Sequence, residues 1–168
     1  MSQLSHSLNS SLLVRDVAGD YRPANADEVL QAARRVLAGQ MRDCEALTSP
    51  QVVRDFLRVK LGALEHEVFA VIHLDAQNHV IEYVEMFRGT VSQTSVYPRE
   101  VVKEALARNS AALLLVHNHP SGVAEPSRAD EMLTQTLKSA LALVDIRLID
   151  HFVVAGDQCV SFAERGLL

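Results

Sequence analysis

The pattern of apolar and polar positions divides the chain into a helical front and a strand-rich remainder. Asn25 followed three residues later by Glu28 has the form of a capping box, and Val29, Leu30, Ala33, Val36 and Leu37 then recur at helical spacing up to Gly39. A second helix is predicted with Ser49 as its cap and Pro50 at its first position. Val52, Val53, Phe56, Leu57 and Leu61 fall on one side of it, and Gly62 ends it. From Glu67 the period changes: Val68 to Ile72 is a β-prone run, Asp75 to Asn78 supplies turn residues, and His79 to Arg88 reads as the return strand of a hairpin. Thr90 to Val96 is a further β-prone stretch, and Pro98 opens a helix carrying Val101, Val102, Ala105 and Leu106 up to Asn109.

Ala111 to Val116 is a continuous apolar run, short enough for a central strand buried on both faces. His117 to Pro126 reads as a loop, Ser127 and Asp130 open a helix to about Val144, and two strands, Ile146 to Ala155 and Cys159 to Phe162, close the chain around a Gly156–Asp157–Gln158 turn. These elements predict an α/β (α+β) fold: one domain with a mixed, curved sheet flanked by helices. Residues 1–24, rich in Ser, Asn and Asp, read as a flexible leader, 25–62 as an N-terminal helical extension, and 63–168 as the body.

A chain of 168 residues can bury a full core without staples. Its formal net charge of -5 provides no positive field for a phosphate backbone, so a nucleic-acid partner is unsupported by charge though not excluded. Cys44 and Cys159 stand far apart with no C-x-x-C spacing, which argues against a disulfide framework or thiolate metal site and suits a reducing compartment. No basic segment leads into an apolar one near Met1, and no apolar run reaches the length of a membrane span. The expectation is a cytoplasmic protein without membrane association, with homo-oligomerisation left open.

Two histidines, His117 and His119, stand where the buried strand ends. Alternate residues of an extended chain project to the same side, so both imidazoles can face one point. Asp130 lies in the first turn of the next helix, and the loop bearing Pro120, Ser121, Gly122 and Pro126 can fold it back toward the strand end. Two nitrogens and one carboxylate oxygen leave a fourth tetrahedral position open for water, the layout of a catalytic rather than a structural zinc site. Zinc (Zn2+) brings the pKa of such a water down to about 7. Against this, a histidine in an apolar stretch is more often a satisfied core residue or a surface one, and Ser127 with Asp130 also reads as an ordinary capping box. Cap and metal make competing demands on Asp130.

The string His117-Asn118-His119-Pro120, followed by Ser127 and Asp130, resembles the H-x-H-P and S-x-x-D signature of the JAMM metalloenzymes, the catalytic JAB/MPN domains. The run from Glu67 to Leu168 is similar more narrowly to the RadC-like bacterial branch. It includes Phe87-Arg88-Gly89-Thr90, Tyr97-Pro98-Arg99-Glu100, Asp150-His151 and the Ser161 to Gly166 ending. The resemblance implies a JAB/MPN-like fold and a zinc metalloprotease or related hydrolase, with His117, His119 and Asp130 as metal ligands. It also implies a glutamate at the start of an upstream strand as general base, which falls on Glu67, and a serine that hydrogen-bonds the tetrahedral intermediate, which falls on Ser127. Glu65, Glu82 and Glu85 are rivals for the base. Asp150 and His151 read either as partners behind a ligand histidine or as a solvated strand pair.

The resemblance points to a protein or peptide substrate. Zinc nucleobase deaminases need paired cysteines that this chain lacks. The letters His117-Asn118-His119 suggest an HNH nuclease only superficially, since those enzymes disperse the three residues. RadC-like proteins carry a DNA-repair label, and longer members have a helix-hairpin-helix segment ahead of the catalytic domain; no Gly-bearing hairpin of that kind is evident within residues 1–66, so a DNA role is not the expectation. A non-catalytic MPN-type interaction domain is the remaining alternative, and the complete ligand set counts against it.

Overall fold

In the computed structural model, residues 12–43, 50–90 and 95–168 are described. Within the expected leader, β1 (Leu13–Arg15) and β2 (Tyr21–Pro23) pair as a short antiparallel hairpin. The Asp16 carboxylate closes its turn by accepting from the Ala18 and Asp20 amides. Helix α1 (Ala26–Asp43) begins with the anticipated capping box: Asn25 Oδ1 accepts from the Glu28 amide, and Glu28 Oε2 accepts from the Asn25 amide. The helix passes through Gly39 rather than stopping there. An interior glycine costs only about 1 kcal/mol relative to alanine, and α1 packs against the next helix. Helix α2 spans Pro50–Leu61; Ser49, expected as its cap, lies outside the described residues.

The body opens with the predicted hairpin of β3 (Val68–Leu74) and β4 (Val80–Arg88). Asp75 organises the turn, its Oδ1 accepting from the Gln77 and His79 amides, and Asn78 takes the left-handed φ of 64° that asparagine tolerates. Of the β-prone stretch Thr90 to Val96, residues 91–94 lie outside the described residues, and neither Thr90 nor Ser95 and Val96 joins a strand. Then follow α3 (Pro98–Ala107), β5 (Ala112–Asn118), α4 (Arg128–Ala142), β6 (Arg147–Ala155) and β7 (Gln158–Ser161). The five strands stand in the order β4-β3-β5-β6-β7, with β5 and β6 parallel and the other pairs antiparallel, a mixed sheet as expected.

Both faces of the sheet are covered, which explains the unbroken apolar runs of β3 and β5. Val68, Ala70, Ile72 and Leu74 of β3 and Ala112, Leu114 and Val116 of β5 meet Val53, Phe56, Leu57 and Leu61 of α2. The alternate set, Phe69, Val71, Leu113 and Leu115, meets Val101 and Ala105 of α3 and Leu137 and Leu141 of α4. Helix α2, expected in an N-terminal extension, is thus one layer of the domain core, and that core is shared across residue 63. Gly62 seats the end of α2: a Cβ there would lie 2.2 Å from the carbonyl oxygen of Gly156 in the β6–β7 turn. Among the described residues no helix is long and apolar enough to cross a membrane.

Candidate metal centre

Strand β5 continues two residues beyond its predicted end, so His117 is the last inward residue of the strand, on the same face as Leu113 and Leu115. That face is the one α4 covers. The His119 amide extends the ladder by donating to the Val154 carbonyl at 2.8 Å, and Gly122, at φ 82°, turns the chain back immediately afterwards. The returning segment delivers the first turn of α4, and with it Asp130, over the two imidazoles.

His117 Nε2 lies 2.9 Å from His119 Nε2 and 3.2 Å from Asp130 Oδ1, while His119 Nε2 lies 3.5 Å from Asp130 Oδ2. One ligand atom from each residue falls within 4.8 Å of the others, an arrangement that could hold a metal ion. The His117 side chain is only 3 % exposed, whereas His119 and Asp130 keep 19 % and 14 %, so the group opens to solvent on one side. His119 Nδ1 lies 2.8 Å from the Val123 carbonyl. A carbonyl oxygen can only accept, so Nδ1 carries the proton and Nε2 of the neutral ring presents a lone pair. Two imidazole nitrogens and a carboxylate focused on one point call for a positive charge between them, either a proton or a metal ion. Burial works to raise the Asp130 carboxyl, but hydrogen bonds to His117 and His119 dominate and hold it far below the usual carboxylate range. The same contact with Asp130 raises His119.

Asp130 can meet both demands that seemed to compete, because its two oxygens have different partners. Oδ2 accepts from the Ser127 amide at 2.7 Å and the Ser127 hydroxyl at 2.6 Å, while Ser127 Oγ accepts from the Asp130 amide, completing the capping box. Oδ1 remains directed at His117. The helix cap therefore orients the candidate ligand instead of consuming it, and Ser127 is placed beside the triad by the same bonds.

Glu67 sits immediately before β3, its backbone tied on every side. Its amide donates to the Thr90 carbonyl and its carbonyl accepts from the Gly89 amide. The buried Asn118 side chain accepts from the Val68 amide at 2.8 Å and donates to the His66 carbonyl at 3.0 Å. The Glu67 charge is near enough to add to the rise at His119. Of its rivals, Glu82 pairs with Arg108 and stands opposite His73, toward the far end of β3, and Glu85 pairs with Lys60 of α2. Glu65 is exposed.

Asp150 and His151 are not a solvated pair, for both are buried and they serve opposite sides of β6. Asp150 accepts from the His151 and Ala163 amides and the Ser161 hydroxyl, tying down the C-terminal turn; burial raises its carboxyl although these bonds oppose the rise. His151 Nε2 lies 2.9 Å from His117 Nδ1, and its Nδ1 lies 2.7 Å from Thr134 Oγ1. Burial pushes the His151 imidazole well below its ordinary value, leaving it neutral. Neither Thr134 nor the clamp made by Asn118 was singled out from the sequence. The signal for Thr134 was its position one helical turn beyond Asp130, on the same face of α4.

Residues 47–167 match the family model described as the RadC-like JAB domain. The chain is also 61 % identical over 150 residues to a UPF0758 protein of Leptothrix cholodnii, covering 89 % of this chain and 68 % of that protein. It is 63 % identical over 146 residues to one of Aromatoleum aromaticum, covering 86 % and 65 %, and 56 % identical over 167 residues to one of Methylibium petroleiphilum, covering 95 % and 75 %. It thus spans about two thirds to three quarters of the length of these relatives. With the histidine pair, the returning helix and the sheet order in place, the conclusion is that this chain belongs to the RadC-like JAB domain family.

Proposed function

We propose that this protein is a zinc-dependent hydrolase that cleaves peptide or isopeptide bonds with a water activated at His117, His119 and Asp130. The observation that carries the reading is the ligand spacing. Ligand atoms about 2.0–2.1 Å from a tetrahedral zinc lie about 3.3 Å apart. His117 Nε2 has its two partners at 2.9 and 3.2 Å. Nitrogen and carboxylate donors with one solvent-facing side favour zinc with an open position over a closed structural site. Zinc held there would lower the pKa of a coordinated water to about 7 and polarise a carbonyl oxygen.

Glu67 then takes the proton of the attacking water and returns it to the leaving amine. Ser127 supplies a donor toward the developing oxyanion. Its amide keeps hold of Asp130 Oδ2, so its hydroxyl can turn to the substrate without releasing the ligand. The substrate in this reading is a protein or peptide; the net charge of -5 supplies no positive field for a phosphate backbone. A cytoplasmic setting belongs to the same reading and is supported by the unpaired thiol of Cys159.

The test is metal content followed by peptide cleavage. Metal-replete purification should yield about one zinc per chain, lost in His119→Ala. Glu67→Gln should retain the zinc and lose cleavage of peptides that the unaltered protein hydrolyses. Zinc below a tenth of an equivalent, indifferent to His119→Ala, would remove the enzyme reading, and full activity in Glu67→Gln would move the base to another carboxylate. Tight duplex binding that falls steeply with salt would favour a DNA role instead.

A further inference from the structure

Behind His117, away from solvent, runs a continuous line of hydrogen-bonding groups: His117 Nδ1, His151 Nε2, His151 Nδ1, Thr134 Oγ1 and the Asp130 carbonyl. The successive separations are 2.9, 2.7 and 2.6 Å. The His151 ring has no solvent exposure. It stacks on Phe162 at 4.7 Å between centroids and meets the edge of Phe69 at 5.9 Å, so its plane is fixed and no outside water can substitute for a missing partner. We propose that Thr134 and His151 are positioning residues of the metal site, holding the proton of His117 on Nδ1 so that its bare Nε2 faces the ion. This rests on the zinc reading above.

With both rings neutral, the protons of the line have two settings. In one, the Thr134 hydroxyl donates to the Asp130 carbonyl, His151 Nδ1–H donates to Thr134 Oγ1, and His117 Nδ1–H donates to His151 Nε2, which leaves His117 Nε2 unprotonated. In the other, the Thr134 hydroxyl turns to His151 Nδ1, His151 Nε2–H donates to His117 Nδ1 and His117 Nε2 carries a hydrogen toward Asp130 Oδ1, which leaves the 2.6 Å contact between Thr134 Oγ1 and the Asp130 carbonyl without a proton. A cation between His117, His119 and Asp130 is compatible with the first setting alone. What makes that setting affordable in a dry interior is Thr134. Its hydroxyl has a carbonyl to donate to at 2.6 Å and so keeps its lone pairs for His151. The donor is one helical turn from Asp130, so the residue whose carboxylate contacts the ion also terminates the line through its own carbonyl.

Removing the hydroxyl penalises the two settings unequally. In Thr134→Val the metal-binding setting strands a buried N–H donor, whereas the reversed one strands only an acceptor lone pair, the cheaper loss. Metal affinity should therefore fall while the fold persists.

Histidine-labelled protein loaded with zinc provides the direct test by long-range proton–nitrogen correlation. The expected result is His151 as the Nδ1–H tautomer and His117 protonated at Nδ1 with Nε2 bound. In parallel, competition against a chelator should show the zinc Kd of Thr134→Val raised about tenfold to a hundredfold and restored by Thr134→Ser. Zinc bound with His151 as the Nε2–H tautomer, or an unchanged Kd in folded Thr134→Val, overturns the relay and leaves the metal reading intact. Failure of the unaltered protein to bind zinc overturns both. If Thr134→Val does not fold, the tautomers of the unaltered protein decide.

Discussion

Acidification from pH 7 to pH 4 should weaken this domain through His73, a residue remote from the histidine pair. His73 is fully buried on β3, with Nδ1 2.8 Å from Ser110 Oγ and Nε2 without a partner among the described residues. Burial lowers its pKa from 6.5 to about 4; Arg108 adds to the fall, and Glu104 and Glu82 oppose it. Between those values the unfolded chain binds a proton that the folded protein refuses, so stability declines as pH falls and levels off below about pH 4. A displacement from 6.5 to about 4 corresponds in full to between about 3 and 4 kcal/mol at about 1.4 kcal/mol per pKa unit, of which about 3 kcal/mol is developed by pH 4, where the buried ring is half protonated. His73→Leu keeps similar bulk, removes the unpartnered nitrogen and cannot titrate. Urea unfolding of both metal-free proteins at pH 7, 6, 5 and 4 isolates the effect, since every other ionisable group is common to the two. The stability difference should shift by about 3 kcal/mol in favour of the variant over that range. Parallel curves would show instead that water or local opening stabilises the charged ring in the folded protein.

Gly62→Ala places a Cβ 2.2 Å from the Gly156 carbonyl oxygen, and thermal unfolding should show a loss of at least about 2 kcal/mol as α2 is pushed off the sheet. Asn118→Ala strands the Val68 amide and the His66 carbonyl and should cost about 2 kcal/mol; under the proposed hydrolase function it should also lower peptide cleavage while zinc content is retained, because the clamp acts on the backbone around Glu67. Ser127→Ala removes the cap of α4 and one of the bonds that orient Asp130, so unfolding should show a loss of about 1 kcal/mol and chelator competition a weaker zinc site.

The H-x-H pair and the S-x-x-D helix start were legible because each is local. An extended strand end sets His117 and His119 on one side, and a capping box puts Ser127 and Asp130 in one helical turn. Most element positions followed from the same local rules, including the Pro98 helix start and the Asp75 turn. The register was not legible. Only the pairing of β3 between β4 and β5 brings Glu67 beside Asn118, and separates it from Glu82 and Glu85. Periodicity likewise identifies an apolar stripe on α2 without saying what covers it, so the place of α2 in the core emerged only with the closed sheet.

Local rules along the chain thus account for the chemical groups and their presentation: two imidazoles, a capped carboxylate, and the helices and strands that carry them. Tertiary structure decided which groups share a proton. His151 behind His117, Thr134 behind His151 and the division of labour between the two oxygens of Asp130 all depend on side chains from separate elements meeting within about 3 Å. Spacing along a chain fixes direction within one helix or strand. Contacts between elements are fixed by how their apolar faces pack, and that is settled only when the whole core closes.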